Sequence, residues 1–231
     1  SAMGGQPLLP DVPNWAWHEY GMRVGFWRFL DVLGKRKLKA TFALNGSVID
    51  LYREACEAAR DAQWDFMGHG FVQKPMHRVD DQRAAIADTV AAIERFTGRK
   101  PRGWESPGLT ETDETLDLLA EAGIEYVADW VMDEQPLPLT TRHGTVVSVP
   151  YTVEVNDVVI SAVEKQPSDE IFRRGKDQFD IRLRAARFAI DCIFDAGGTP
   201  AFEQHACGQR IADQLEIGAS AHRIEISHCR R

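Results

Sequence analysis

A chain of 231 residues with 44% apolar content can bury one substantial core, and it reads as a single domain over 1–231. Its formal net charge of −8 argues against nucleic-acid or anionic-membrane partners, which require a clustered Lys/Arg surface. The basic runs, Lys35-Arg36-Lys37 and Arg230-Arg231, read as solvated surface.

Cys56, Cys192, Cys207 and Cys229 are scattered, with no CxxC or zinc-knuckle spacing, which fits reduced thiols in a cytoplasm. The segment Ser1-Ala2-Met3-Gly4-Gly5-Gln6-Pro7 lacks the charged and apolar regions of a signal peptide, and Ser1-Ala2 reads as a cloning remnant before Met3. No stretch approaches the roughly 20 apolar residues of a membrane span.

In chain order, Met22, Phe26, Phe29, Leu30 and Leu33 recur at helical spacing, predicting a helix over about 21–34 with Gly34 as its C-cap. A strand over 38–44 follows and ends at Asn45. A helix over about 48–62 leads into the strand Trp64-Asp65-Phe66-Met67, which stops at Gly68-His69-Gly70. Asp80-Asp81 suit the N-cap of a third helix carrying Ile86, Val90 and Ile93 on one face and ending at Gly98. Arg102-Gly103-Trp104 reads as a strand, followed by Glu105-Ser106-Pro107-Gly108. A fourth helix, about 112–122, feeds the strand 124–128 and then Asp129-Trp130. Beyond Pro138, the segments 145–149 and 152–155 read as strands around Pro150. Residues 168–196 read as one or two helices, capped by Ser168 and stopped by Gly197-Gly198.

Strands alternating with helices imply a parallel sheet, and in such sheets reactive groups gather at the carboxyl ends of the strands. Asn45, His69, Glu105 and Asp129 occupy those ends, so a curled sheet would bring them around one mouth.

Several ordered motifs resemble the polysaccharide deacetylase (NodB-homology) superfamily, and its allantoinase-like branch in particular. They are Asp11-Val12-Pro13-Asn14-Trp15-Ala16-Trp17, Ala40-Thr41-Phe42-Ala43-Leu44-Asn45-Gly46, Met67-Gly68-His69-Gly70, Arg102-Gly103-Trp104 with Ser106-Pro107-Gly108, and Asp129-Trp130 with Asp133-Glu134-Gln135-Pro136. The match runs over about 10–157, with 158–231 divergent. It implies an α/β fold, a distorted (β/α) barrel that this chain need not complete, and hydrolysis of carbon–nitrogen bonds other than peptide bonds.

Zinc-dependent members of the superfamily hold the metal with an Asp of the first strand and an H-x-x-x-H pair. Here His69 matches the first His and Gln73 stands at the second, a neutral amide that ligates zinc poorly; His77 lies too far along to replace it. Glu105 stands in place of the superfamily's motif Arg. The first acidic strand is expected upstream of Pro10, where this chain has a short Gly/Pro tail, and only His205-Ala206-Cys207-Gly208-Gln209-Arg210 echoes the family's last His motif.

These departures imply no zinc and no other cofactor. They also leave two functional classes open: an active amide hydrolase, or an inactive relative that binds a small ligand or a partner subunit. A third expectation is that the chain begins inside a longer active enzyme.

For catalysis the candidates are His69, Asp129 and Glu105. His69, flanked by glycines, suits acid or base chemistry, against a buried turn histidine. Asp129 suits a supporting carboxylate for His69, against a capping residue. Glu105 suits a base poised by burial beside Trp104, against an ion-pair partner for Arg102.

For substrate the candidates are Asn45, Trp104, Trp130 and Asp133. Asn45 can donate to an oxyanion or simply form a turn with Gly46. Trp104 and Trp130 can wall a flat ring or pack the core, and Asp133 can bind polar groups or shape a loop. The expected substrate is a small amide or an acetylated sugar, and exposed aromatics near the N-terminus predict a homo-oligomer.

Overall fold

The computed structural model describes residues 10–181. The expectations at Cys192, Gly197-Gly198, His205 to Arg210 and Cys229 lie outside the described residues. The chain divides into two compact units, at Val153 and Glu154.

The first unit opens with α1 (Val12–Tyr20), whose start is fixed by Asp11: its carboxylate accepts from Asn14 N at 3.2 Å. A π turn at Gly21–Gly25 carries the helix on into α2 (Phe26–Lys35). The helix thus begins nine residues before the predicted Gly21, because the capping Asp11 and Pro13 were not read as a start signal. Gly34 is not its cap. The chain leaves through Arg36 and a left-handed Lys37 instead.

Strand β1 (Thr41–Leu44) is shorter than predicted, while β2 (Asp65–Gly68) keeps the predicted length and lies one residue further on. Between them the expected single helix is two, α3 (Val48–Leu51) and α4 (Arg53–Asp61), parted at Tyr52. The Tyr52 hydroxyl donates to Glu19 Oε1 at 2.5 Å, so the break coincides with a tie back to α1. The third helix, α5 (Gln82–Thr97), is as predicted: Asp81 accepts from Ala84 N and Gly98 takes the left-handed cap. Then come β3 (Gly103–Trp104), α6 (Thr115–Glu121) and β4 (Tyr126–Val127).

A hairpin of β5 (Leu137–Thr141) and β6 (Gly144–Ser148) completes the sheet. The expected strand 152–155 is instead a 3-10 turn at Val153–Val155. The partner beside β6 is β5, a strand the sequence did not declare because two prolines flank and interrupt it.

Sheet order is β1-β2-β3-β4-β6-β5, parallel throughout except for β5. Among the described residues the sheet is open, with β1 and β5 at its edges. Its core has two parts. Leu44, Phe66, Cys56 and Ile93 form one, where Phe26, Phe42, Phe66 and Phe96 make a chain of ring contacts about 6 Å apart. Trp104, Leu119, Val127 and Val146 form the other. Both rest on α5, so burying the apolar faces of these elements fixes the strand ends relative to one another.

Within the second unit, residues 170–181 are helical and Arg174 ion-pairs with Glu164 and Glu170 at 2.6 and 2.7 Å. No helix among the described residues is long and apolar enough to cross a membrane.

Candidate active site

The parallel ladder sets one residue of each strand end beside the next. His69 N donates to Leu44 O, Glu105 N to Gly68 O, and Ala128 N to Trp104 O. Asn45, His69, Glu105 and Asp129 therefore follow one another along a single edge of the sheet.

Glycine makes the approach possible. A Cβ on Gly68 would collide with the Trp104 ring, and Gly70 has φ +73°, so the backbone turns sharply just past His69. Asn45 stitches this turn to β1: its amide donates to His69 O and to Gly70 O. Both amide hydrogens are thus engaged by backbone carbonyls.

His69 is 14% exposed in its side chain, and its Nδ1 lies 2.7 Å from the Glu105 carbonyl oxygen. A carbonyl only accepts, so Nδ1 carries the proton and Nε2 holds the lone pair. Burial lowers the pKa of the ring, opposed in part by the Glu105 carbonyl, the Asp129 charge and the Gln73 side chain. The imidazole is therefore neutral at pH 7.

Asp129 is 2% exposed. Its Oδ1 accepts from Ser106 N at 2.5 Å. The expected role of orienting His69 belongs to the Glu105 carbonyl instead, because the backbone of Ser106 holds Asp129 in place. Asp129 acts on its neighbours through charge. The Glu105 side chain, Oε1 3.9 Å from His69 Nδ1, has its pKa lifted to about 7 by burial and then by Asp129. Its alternative as an ion-pair partner of Arg102 is overturned: Arg102 binds Glu125 at 2.5 Å across the β3–β4 register.

The other expected residues are not brought to this cluster. Trp104 is fully buried in the core, and its Nε1 donates to Ser106 Oγ at 3.1 Å, so its ring faces no ligand. Trp130 is half-buried beyond β4, its carbonyl accepting from Tyr151 N. Asp133 turns its own loop, accepting from Gln135 N at 3.2 Å, and lines a shallow hollow with Met132, Ser148 and Pro150.

One residue that the sequence did not single out belongs here. Glu111, in the loop before α6, has its carboxyl group against Asp129, and burial, the Asp129 hydrogen bond and the Asp129 charge raise its pKa far above the carboxylate range. An acidic residue just ahead of a helix reads as a solvated cap. No periodicity marks it for burial.

Zinc requires three or four protein ligands about 2 Å from one point. Among the described residues no three His, Cys, Asp or Glu side chains are so arranged. Gln73 offers an amide where an imidazole is needed, so His69 Nε2 is the one imidazole donor of that pair.

Among the described residues, an open and mainly parallel sheet with a buried histidine and acids at its carboxyl edge defines an α/β fold, and in such folds ligands commonly bind at that edge. A profile of the polysaccharide deacetylase family matches residues 18–127. A Schizosaccharomyces pombe protein bearing the polysaccharide deacetylase name is 25% identical over 185 residues, 71% of this chain and 57% of that protein. A solved structure from Pseudomonas aeruginosa PAO1, also named as a polysaccharide deacetylase, is 25% identical with a TM-score of 0.65, covering 72% of this chain and 57% of that one. PuuE allantoinase has the same fold, at 23% identity and a TM-score of 0.68, over 74% of this chain and 58% of its own. The chain is thus similar to the polysaccharide deacetylase family over residues 18–127 and shares the fold of these solved structures. It spans a little over half the length of these relatives.

Proposed function

We propose that the protein hydrolyses a carbon–nitrogen bond in a linear or cyclic amide, an acetylated sugar included, without a bound zinc. The observation that carries this reading is the convergence of neutral His69, near-neutral Glu105 and buried Asp129 on adjacent ends of a parallel sheet. The names of the relatives, a deacetylase and an allantoinase, supply the substrate class.

In the proposed reaction His69 Nε2 takes a proton from water as its oxygen bonds to the amide carbon. Glu105, whose pKa near 7 lets it hold a proton, gives that proton to the nitrogen as the C–N bond breaks. Asp129 supports the positive charge on His69. Each proton-transfer group commonly contributes on the order of 10²-fold or more.

The test is turnover on a panel of allantoin, cyclic imides and N-acetylated sugars by the wild-type protein and Glu105→Gln. Turnover on at least one compound, reduced at least about 100-fold in the variant, is expected. Equal rates would refute the role of Glu105. The second reading, a ligand-binding relative without turnover, is favoured by Gln73 at the position of the second histidine, and binding by calorimetry with no product would establish it.

A further inference from the structure

Glu111 has no role in the chemistry just described, yet the fold goes to some length to bury it. Its loop is fixed on both sides. Leu109 N donates to Ser106 O, Thr110 Oγ1 donates to Pro107 O and accepts from Met76 N, and Thr112 N donates to Thr115 Oγ1. Gly108 and Leu109 both take left-handed backbone, so the loop turns sharply just before Thr110.

Between these anchors Glu111 meets Asp129. Two oxygens there, Glu111 Oε1 and Asp129 Oδ2, are buried and receive a hydrogen from no other group of the protein, so the one bond open to them is the bond to each other. A buried unpaired oxygen costs about 1–3 kcal/mol, and two facing carboxylates cannot relieve each other, since each only accepts. One proton placed between them satisfies both.

We propose that Glu111 is a positioning residue whose carboxyl group donates a hydrogen bond to Asp129 Oδ2 and, through Asp129, fixes the charge that faces His69 and Glu105. Ser106 N then holds one Asp129 oxygen and Glu111 the other, so the Asp129 carboxylate has a single orientation. Burial keeps the proton on Glu111 at neutral pH. The pair carries one negative charge rather than two, which is what Glu105 and His69 respond to. This inference deepens the acid–base reading of the site, and its test reads spectra rather than turnover, so either can fail without the other.

The test uses the full chain at roughly pH 9, about two units above the Glu105 pKa, where ordinary carboxyl groups are ionised. Infrared spectra should contain a protonated carboxylic acid C=O band in the wild type and in Glu105→Gln, and lose it in Glu111→Gln. The His69 ring, titrated by NMR, should keep its wild-type pKa in Glu111→Gln, whose amide still donates to Asp129. In Glu111→Leu, where the Asp129 carboxylate loses that donor and its charge is no longer held toward the ring, the ring pKa should fall by roughly one unit. Absence of the band from the wild type, its survival in Glu111→Gln, or an unmoved His69 titration in Glu111→Leu would overturn the proposal. The wild-type spectrum decides even where a variant fails to fold.

Discussion

Burial and the Asp129 charge lift the Glu105 carboxyl from an ordinary 4.5 to about 7, and that shift has a thermodynamic consequence. The unfolded chain releases this proton near 4.5 and the folded one near 7, so between those values folding stability declines as pH rises. The full decline from this group is about 3 kcal/mol at most, at about 1.4 kcal/mol per pKa unit. Glu105→Gln removes it. Urea unfolding at several pH values should therefore show the variant gaining on the wild type from pH 4.5 to 7 and holding the gain above; a pH-independent difference would refute the buried carboxyl. His69, Glu105 and Asp129 were legible in the sequence because each follows an apolar run at a strand end. Glu111 was not, since its place in the loop depends on hydrogen bonds of Thr110 and Thr112 with Pro107, Met76 and Thr115 that no local pattern announces. Of the two uses open to Trp104, ligand wall or core, the structure has the core: its ring fills the space that Gly68 leaves open.

At the scale of elements, the β2–β3 contact is where site and core meet. Gly68 pairs with Trp104 in register, and the Trp104 ring occupies the place of a Cβ on Gly68. Gly68→Ala must push a fully buried ring aside, an overpacking that typically costs about 1–3 kcal/mol. Thermal unfolding should show a lowered midpoint for Gly68→Ala, while Gly34→Ala, with open space at its Cβ in a helix, should be neutral or stabilising. Equal midpoints for the two variants would contradict this packing. Helix α5 was readable in full because a cap, an apolar face and a terminal glycine agree. The α1 start and the break at Tyr52 were less so: the first lies in an aromatic segment without clean periodicity, and the second is tied by a long-range hydrogen bond to Glu19.

Among the described residues the sheet is open, and the first helices expose Trp15, Trp17 and Phe29 by 60% or more. Exposed aromatics in that number favour self-association, and the proposal of a homo-oligomer rests on them. Light scattering at micromolar concentration should give a dimer or larger; a stable monomer would count against it. The family likeness and the parallel sheet were legible in the ordered motifs, while the β5–β6 hairpin was obscured by Pro136 and Pro138. The central claim is that His69 performs metal-free acid–base chemistry at the strand ends. The most direct measurement is kcat/KM for the best amide of the panel, on protein dialysed against a chelator, for the wild type and His69→Ala. Activity that survives chelation and drops by about 10²–10⁴-fold in His69→Ala is the predicted result. Activity abolished by chelation and restored by zinc, or undiminished in His69→Ala, would contradict it.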